Sequence, residues 1–244
     1  MAIFSFLESM LFIDNGTCPV CGRVLFEKKS YVCSRCYEAL PVNRLRTCKV
    51  CGRQMETSEG DICSECLKEK DPVFDGGFSW LVYTGGAKKV IQGFKFESRK
   101  ALAGWAGKQM ADAAAGISWM AVCDGIIPVP LHPNRLKERG YNQSAWIAEG
   151  FSRRMAEKGI GLPVENKLLN RMVDTPHQVG TNRDFRLQNM REAFQVMQPE
   201  RVKGKSWILL DDVMTTGATL RECGRMLQLA GARAVYAVTC AGRS

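Results

Sequence analysis

From residue 78 onward, short apolar runs of strand length alternate with stretches whose apolar residues recur at helical spacing. That alternation predicts parallel strands joined by helical crossovers, an α/β fold with a parallel sheet flanked by helices. Residues 78–83 predict the first strand. Residues 87–115 predict a helix broken near Glu97 or Ser98, with Val90, Ile91 and Phe94 on one apolar face and Leu102, Trp105 and Met110 on the next. Residues 125–130, GIIPVP, form a strand that ends in proline, as a strand feeding a loop does. Residues 141–158 predict a helix with Ala145, Ala148, Phe151 and Met155 facing the core and Trp146 off that stripe. Residues 162–169 and 193–197 predict two further strands. Residues 207–210, WILL, read as a strand covered on both faces, and residues 220–230 as an amphipathic helix closed by Gly231.

The amino-terminal third has a different pattern. Residues 1–17 predict a short amphipathic helix along Ile3, Phe4, Leu7, Met10 and Leu11; they lack a basic start and a cleavage site, and Glu8 interrupts the run, unlike an export signal. Four CxxC pairs follow: Cys18 and Cys21, Cys33 and Cys36, Cys48 and Cys51, Cys63 and Cys66. The CPVCGR at Cys18 returns as CKVCGR at Cys48, and CSRC at Cys33 as CSEC at Cys63, so the segment is an internal duplication. Each CxxC turn presents two thiolates, and two turns complete a four-sulfur site for structural zinc with no position left for water. The duplication favours Cys18, Cys21, Cys33 and Cys36 on one ion and the other four on a second, with an interleaved cross-brace as the alternative. A disulfide framework or a redox CxxC fits four repeated pairs less well. Residues 67–77 shift to charged residues, Pro72 and a glycine pair, so the expected division is a helix over 1–17, a double zinc ribbon over 18–70 and an α/β domain over 71–244.

Candidate chemistry concentrates where residues 207–210 end. Asp211 and Asp212 come first, then Val213, Met214, Thr215, Thr216, Gly217, Ala218 and Thr219 lead into the helix. A strand, polar turn and helix start aim backbone N–H groups, hydroxyls and the helix dipole at one spot, which suits a phosphate. The acid pair accepts hydrogen bonds from sugar hydroxyls or meets a metal that bridges to phosphates. The bland alternative, a capped helix, needs one hydroxyl and no acid pair. A second anion site is expected in the loop after residue 130, where Arg135, Lys137, Arg139 and Gln143 surround a turn at Gly140. Lys95 is within reach of a phosphate in principle but reads as a solvated lysine, and His132 and His177 as surface residues. Residues 170–192 are polar and basic with little periodicity, the pattern of a lid or binding loop. Cys123, Cys223 and Cys240 read as small apolar core residues.

The 45% hydrophobic content supplies a packed core in 244 residues. The formal charge of +9 invites an anionic partner, but eight zinc-bound thiolates would bring it to about +5 and weaken the case for nucleic acid. No apolar run reaches the roughly 18 residues of a membrane span, so a cytoplasmic protein is expected.

Asp211, Asp212, Thr215, Thr216, Gly217 and Thr219 resemble the phosphoribosyl-pyrophosphate (PRPP) signature of type I phosphoribosyltransferases. In order, the CxxC repeats, the VP strand with RGYNQ, TPHQVG with NR and RLQNM, and DDVMTTGAT resemble the ComF family of bacterial competence proteins from Cys18 to the carboxyl end. The resemblance implies a type I phosphoribosyltransferase-like domain behind a double zinc ribbon, associated with uptake of transforming single-stranded DNA. It implies that Asp211 and Asp212 engage the ribose, that residues 215–219 wrap the 5-phosphate with Val213, Met214 and Ala218 in the same stretch, and that Mg²⁺ accompanies PRPP. Arg135 and Arg139 would meet the leaving pyrophosphate, and Arg171, Thr175, Gln178, Arg183, Arg186 and Asn189 would form a mobile loop. Phe185 stands where family members often carry an acid, a departure within that loop. The competing expectation is a PRPP sensor or an adaptor to the DNA-uptake machinery, in which Phe26, Lys28, Lys29, Tyr31, Arg35 and Tyr37 of the ribbons contact single-stranded DNA or a protein.

Overall fold

The computed structural model describes residues 16–26, 30–44, 46–55, 60–69, 71–96, 99–173 and 193–243. In chain order the elements used below are α1 (Ser34–Glu38), α2 (Ser64–Leu67), β1 (Gly76–Val82), α3 (Gly85–Phe96), α4 (Lys100–Ala113), β2 (Gly125–Pro128), α5 (Pro133–Arg139), α6 (Gln143–Ala156), β3 (Leu169–Arg171), β4 (Phe194–Val196), α7 (Pro199–Val202), β5 (Ser206–Met214), α8 (Ala218–Leu229) and β6 (Ala234–Gly242). Four of the strands make one parallel sheet in the order β1, β6, β5, β2. β5 and β6 are its inner strands, and Trp207, Ile208, Leu209, Leu210, Val235, Ala237 and Val238 are all buried, as strands covered on both faces require.

The two faces have separate cores. Ile208 and Leu210 pack with Val90, Ile91 and Phe94 of α3, Leu102 and Met110 of α4, and Ile147 and Phe151 of α6. Leu209, one residue out of phase with them, packs with Leu220, Cys223 and Leu227 of α8. Period-two alternation along β5 therefore decides which helix each side chain meets. Cys223 and Cys240 are buried core residues as expected, and Cys123 is nearly so.

The cysteine-rich front is built onto this sheet. Val42 bridges Leu81 in antiparallel fashion, the Asn43 N–H donates to Trp80 O at 2.8 Å, and the Val82 N–H donates to Pro41 O at 2.8 Å. The segment between the two CxxC repeats thus occupies the free edge of β1, which would otherwise present unpaired backbone groups. The CxxC turn that opens the second repeat, Cys48 to Cys51, lies flat against β1: a Cβ on Gly77 would fall 2.4 Å from the carbonyl carbon of Cys51, and one on Gly52 would fall 2.3 Å from Phe78 N. Only paired glycines permit that approach, and Gly52 also turns the knuckle at φ 72°. The first CxxC turn seats on α3, where Lys89 Nζ donates to Val20 O at 2.8 Å, and Arg99, just before α4, donates through Nη1 to Thr17 O at 2.6 Å. Tyr37 is committed to the fold, edge-on to Trp105 and donating to Gln109 Oε1.

The expected broken helix over 87–115 is two helices, α3 and α4, that meet at the anticipated place. The stretch expected as a basic loop contains α5. Its signals are Pro133 at the first turn, His132 Nδ1 accepting from the Asn134 N–H at 3.3 Å, and Gly140 closing it at φ 75°. None of its residues is buried, so hydrophobic periodicity could not mark it. The strand expected over 162–169 is also displaced: Val164 makes one isolated bridge with Ile126, and β3 starts at Leu169 to pair with β4 in a separate antiparallel ribbon. The helix expected over 1–17 falls almost wholly outside the described residues, as do Lys28, Lys29, Thr175, Gln178, Arg183, Arg186 and Asn189. Among the described residues no helix is long and apolar enough to cross a membrane.

The glycine contact gives a direct stability test. Gly77→Ala forces a methyl group into the backbone of Cys51 and is expected to cost about 2–3 kcal/mol, read as a fall in the urea midpoint. Gly116→Ala, where an added Cβ meets nothing within 4 Å, is expected to change stability by less than about 0.5 kcal/mol.

Candidate functional site

The eight ribbon cysteines gather as two sets, Cys18, Cys21, Cys33 and Cys36, and Cys48, Cys51, Cys63 and Cys66, with the sulfurs of each set within 4.8 Å of one another. Grouping is sequential along the chain, and the interleaved cross-brace is not formed. Cys21 and Cys33 sulfurs are 3.8 Å apart and Cys51 and Cys63 sulfurs 3.7 Å, too long for a disulfide. A tetrahedron with Zn–S bonds of about 2.3 Å has edges of about 3.8 Å, so these spacings fit zinc. Chemistry of the surroundings fits as well. The Cys63 N–H donates to Cys48 Sγ, and buried Arg53 donates through Nε to Cys51 Sγ, both at 3.3 Å. A buried guanidinium requires an anion nearby, and a tetrathiolate zinc centre supplies one.

The second constellation lies at the carboxyl end of β5. The strand runs on past the apolar run through both acids to Met214. Adjacent strand residues face opposite sides, so Asp211 follows Leu209 and Asp212 follows Leu210. Asp211 Oδ1 accepts from Ser144 Oγ at 2.9 Å and from the Asp212 N–H at 2.8 Å. Asp212, 3% exposed, takes the ammonium of Lys95 at 2.8 Å from its Oδ2. Desolvation and the neighbouring Asp212 charge push the Asp211 carboxyl up to about 7. Burial works against the charge on Lys95, but Asp212 and then Asp211 outweigh it, and the lysine pKa is raised.

Beyond the acids the chain turns through Thr215 and Thr216 to Gly217, which begins α8 at φ 83°. The left-handed conformation excludes most side chains, and a Cβ there would also meet Arg221 Nη1 at 2.8 Å. The Ala218 N–H points to Thr216 Oγ1 at 3.4 Å, and Arg221 steadies the bend by donating to Thr216 O at 2.8 Å. Arg221 in turn pairs with Glu69 at 3.1 Å, so the exit of the second ribbon reaches the bend. On the other side, Asn142 caps α6 by accepting from the Ser144 N–H at 3.0 Å and anchors to Val129 O at 3.0 Å. Arg139 Nη1 donates to Gln143 Oε1 at 2.6 Å, and the Tyr141 hydroxyl donates to Phe94 O. The RGYNQ residues, β5, the α8 start and the end of α3 thus converge beside the acid pair.

Of the expected site residues, Asp211, Asp212 and 213–219 run from the end of β5 into the start of α8, and Arg139 ends α5 and donates to Gln143 at the start of α6. Arg135 lies on α5 and Arg171 ends β3. Lys95 is a correction: it is an inward ion-pair partner, not a solvated side chain, because its position one residue after buried Phe94 places it over the strand ends. Ser144 and Arg221 were not anticipated. Two residues after a capping asparagine, Ser144 had a local signal; Arg221 had none.

Cys51→Ser is expected to lower bound zinc from two ions per chain to one and to reduce the thermal midpoint, measured by metal analysis and calorimetry. The Asp211 shift sets a sign: a folded pKa above the unfolded value means the folded state binds the extra proton, so this group's stability contribution falls as pH rises. Between pH 6 and 8 the wild type is expected to lose about 1 kcal/mol relative to Asp211→Asn, measured by urea unfolding.

Residues 10–67 match the family model of the double zinc ribbon domain. Competence protein F of Haemophilus influenzae is 30% identical over 150 residues, 58% of this chain and 62% of that protein, so the match spans under two thirds of that relative's length. The DNA utilization protein YhgH of Salmonella typhimurium is 26% identical over 228 residues, covering 90% of this chain and 87% of YhgH. Among solved structures, the glutamine PRPP amidotransferase of B. subtilis covers 62% of this chain and 30% of its own at 19% identity with a TM-score of 0.40. The allosteric regulatory enzyme of purine biosynthesis covers 57% of this chain and 25% of its own at 22% identity and a TM-score of 0.37; likenesses this slight carry no argument about activity. The chain is thus similar in sequence to competence protein F and YhgH, and it carries a double zinc ribbon followed by a parallel α/β domain.

Proposed function

We propose that the bend between β5 and α8 binds PRPP and that the protein is a phosphoribosyltransferase-like member of the ComF family. One observation carries this reading: two carboxylates side by side at the end of an inner parallel strand run directly into a glycine-started helix. Carboxylates accept from the vicinal hydroxyls of a ribose. The N–H groups and hydroxyls of residues 215–219, with the positive end of α8, accept a 5-phosphate. Val213, Met214 and Ala218 supply the backbone between these anchors. Asp211 at a pKa of about 7 binds a hydroxyl without holding a second full charge beside Asp212.

In the proposed reaction the anomeric C–O bond to pyrophosphate breaks and a bond from the acceptor nucleophile to that carbon forms. Arg135 and Arg139, after the neighbouring strand β2, are assigned to the charge that develops on pyrophosphate. The mobile loop, with Arg171 at its described foot and Thr175, Gln178, Arg183, Arg186 and Asn189 beyond, is assigned to water exclusion. The oxygen-only donors Asp211 and Asp212 suit Mg²⁺, which, when bound with PRPP, would neutralise pyrophosphate oxygens.

A link to DNA uptake is supported by the names of the relatives, a competence protein and DNA utilization proteins. The adaptor reading has one favourable observation: Phe26 of the first ribbon is 76% exposed. Against it, Tyr37 is taken up by Trp105 and Gln109. Reduced cysteines in two four-sulfur sets support operation in the cytoplasm.

Calorimetric titration of PRPP with Mg²⁺ into the zinc-loaded protein tests the site. Binding to the wild type and a loss of at least about tenfold in Asp212→Asn, with zinc content and unfolding midpoint kept, are expected. Equal affinity in the two refutes the assignment. Pyrophosphate release that requires an acceptor then marks the transferase, and binding without turnover marks the sensor.

A further inference from the structure

Lys95 is held in an unusual way for a surface-helix lysine. It stands in the last turn of α3, where the helix dipole favours a cation. Its side chain is 22% exposed and its ammonium lies 2.8 Å from Asp212 Oδ2, on a carboxylate side chain that is 5% exposed. The backbone leading up to it is gripped. The Tyr141 hydroxyl binds Phe94 O, one residue before it. Pro19 of the first zinc knuckle lies 3.3 Å from the position a Cβ on Gly93 would occupy. Lys89, two turns earlier, donates to Val20 O of the same knuckle at 2.8 Å. The main chain before Lys95 is clamped between the zinc ribbon and the RGYNQ connection, while the ammonium sits at the end of four methylenes.

Resting on the PRPP reading above, we propose that Lys95 is a pyrophosphate-binding residue that exchanges partners: it leaves Asp212 as the ribose hydroxyls take that carboxylate and passes to the pyrophosphate. The chemistry forces a destination. A carboxylate that turns its acceptor oxygen to a hydroxyl no longer compensates a nearby ammonium, and a largely desolvated ammonium without an anion is costly. In PRPP the carbon bearing pyrophosphate is bonded to the carbon bearing the 2-hydroxyl, so an anion arrives within a few bonds of the displaced cation. The exchange makes Lys95 a discriminator: it rewards a ribose phosphate carrying the pyrophosphate and opposes one that takes Asp212 without bringing an anion to that side. The first zinc knuckle is then part of the site's architecture, since it fixes the helix from which the ammonium pivots.

The test titrates PRPP with Mg²⁺, and separately ribose 5-phosphate, into zinc-loaded wild type, Lys95→Gln and Lys95→Arg. In Lys95→Gln, PRPP affinity is expected to fall about 10- to 100-fold, while ribose 5-phosphate affinity holds within about threefold or improves. Lys95→Arg is expected to recover most of the PRPP affinity, which a lysine needed only for folding would not explain. Unchanged PRPP affinity in Lys95→Gln, or equal losses for both ligands, overturns the exchange. If Asp212→Asn loses PRPP while Lys95→Gln keeps it, the exchange falls and the ribose assignment stands; a wild type that binds neither ligand brings down both.

Discussion

Two carboxylates next to each other on an inner strand cannot share a face, and this constraint shapes the whole carboxyl edge of the sheet. The pleat sends Asp211 and Asp212 to opposite sides, yet both find their partners on helices that pack against one face of the sheet. α6 answers Asp211 with Ser144, and α3 answers Asp212 with Lys95. A neutral donor and a cation give the two acids different electrostatic environments, and burial beside Asp212 leaves Asp211 near neutrality in pKa. A carboxyl shifted in this manner beside a buried ion pair marks a site more than a scaffold, since well-packed apolar residues would hold the same strand at least as well.

The ribbon domain is bound into that arrangement. Its inter-repeat segment covers the β1 edge, its second knuckle meets β1 backbone to backbone, and its first knuckle seats on α3. The chain leaving it sends Glu69 to Arg221, which supports the bend at Thr216. A metal centre in such a place acts on the α/β domain through packing: the first knuckle seats the helix that carries Lys95 to Asp212, and the second lies on the outer strand β1, next but one to β5. Zinc held by the two four-sulfur sets would be structural for both halves of the chain.

Much of this was legible along the chain, and the reasons are physical. The sheet strands announced themselves because inner parallel strands are apolar throughout, as at residues 207–210. The cysteine sets were legible because metal coordination imposes spacing and the duplication repeats it. The acid pair and its turn were readable as a local motif, since all of the parts are contiguous. What failed was tertiary. Lys95 looked solvated because its partner lies more than a hundred residues away, and α5 was hidden because a helix with no buried residue has no apolar stripe. Nothing local told of the glycine contact between Gly52 and Gly77, which exists only after the two domains fold together.

The central claim is a location: a ribose and its 5-phosphate held where β5 gives way to α8. A crystal structure of the zinc-loaded protein with PRPP and Mg²⁺ measures it directly. The account predicts ribose density within hydrogen-bond distance of Asp211 and Asp212 and the 5-phosphate over residues 215–219. Ordered PRPP seated elsewhere, with that bend and its carboxylates untouched, would contradict it.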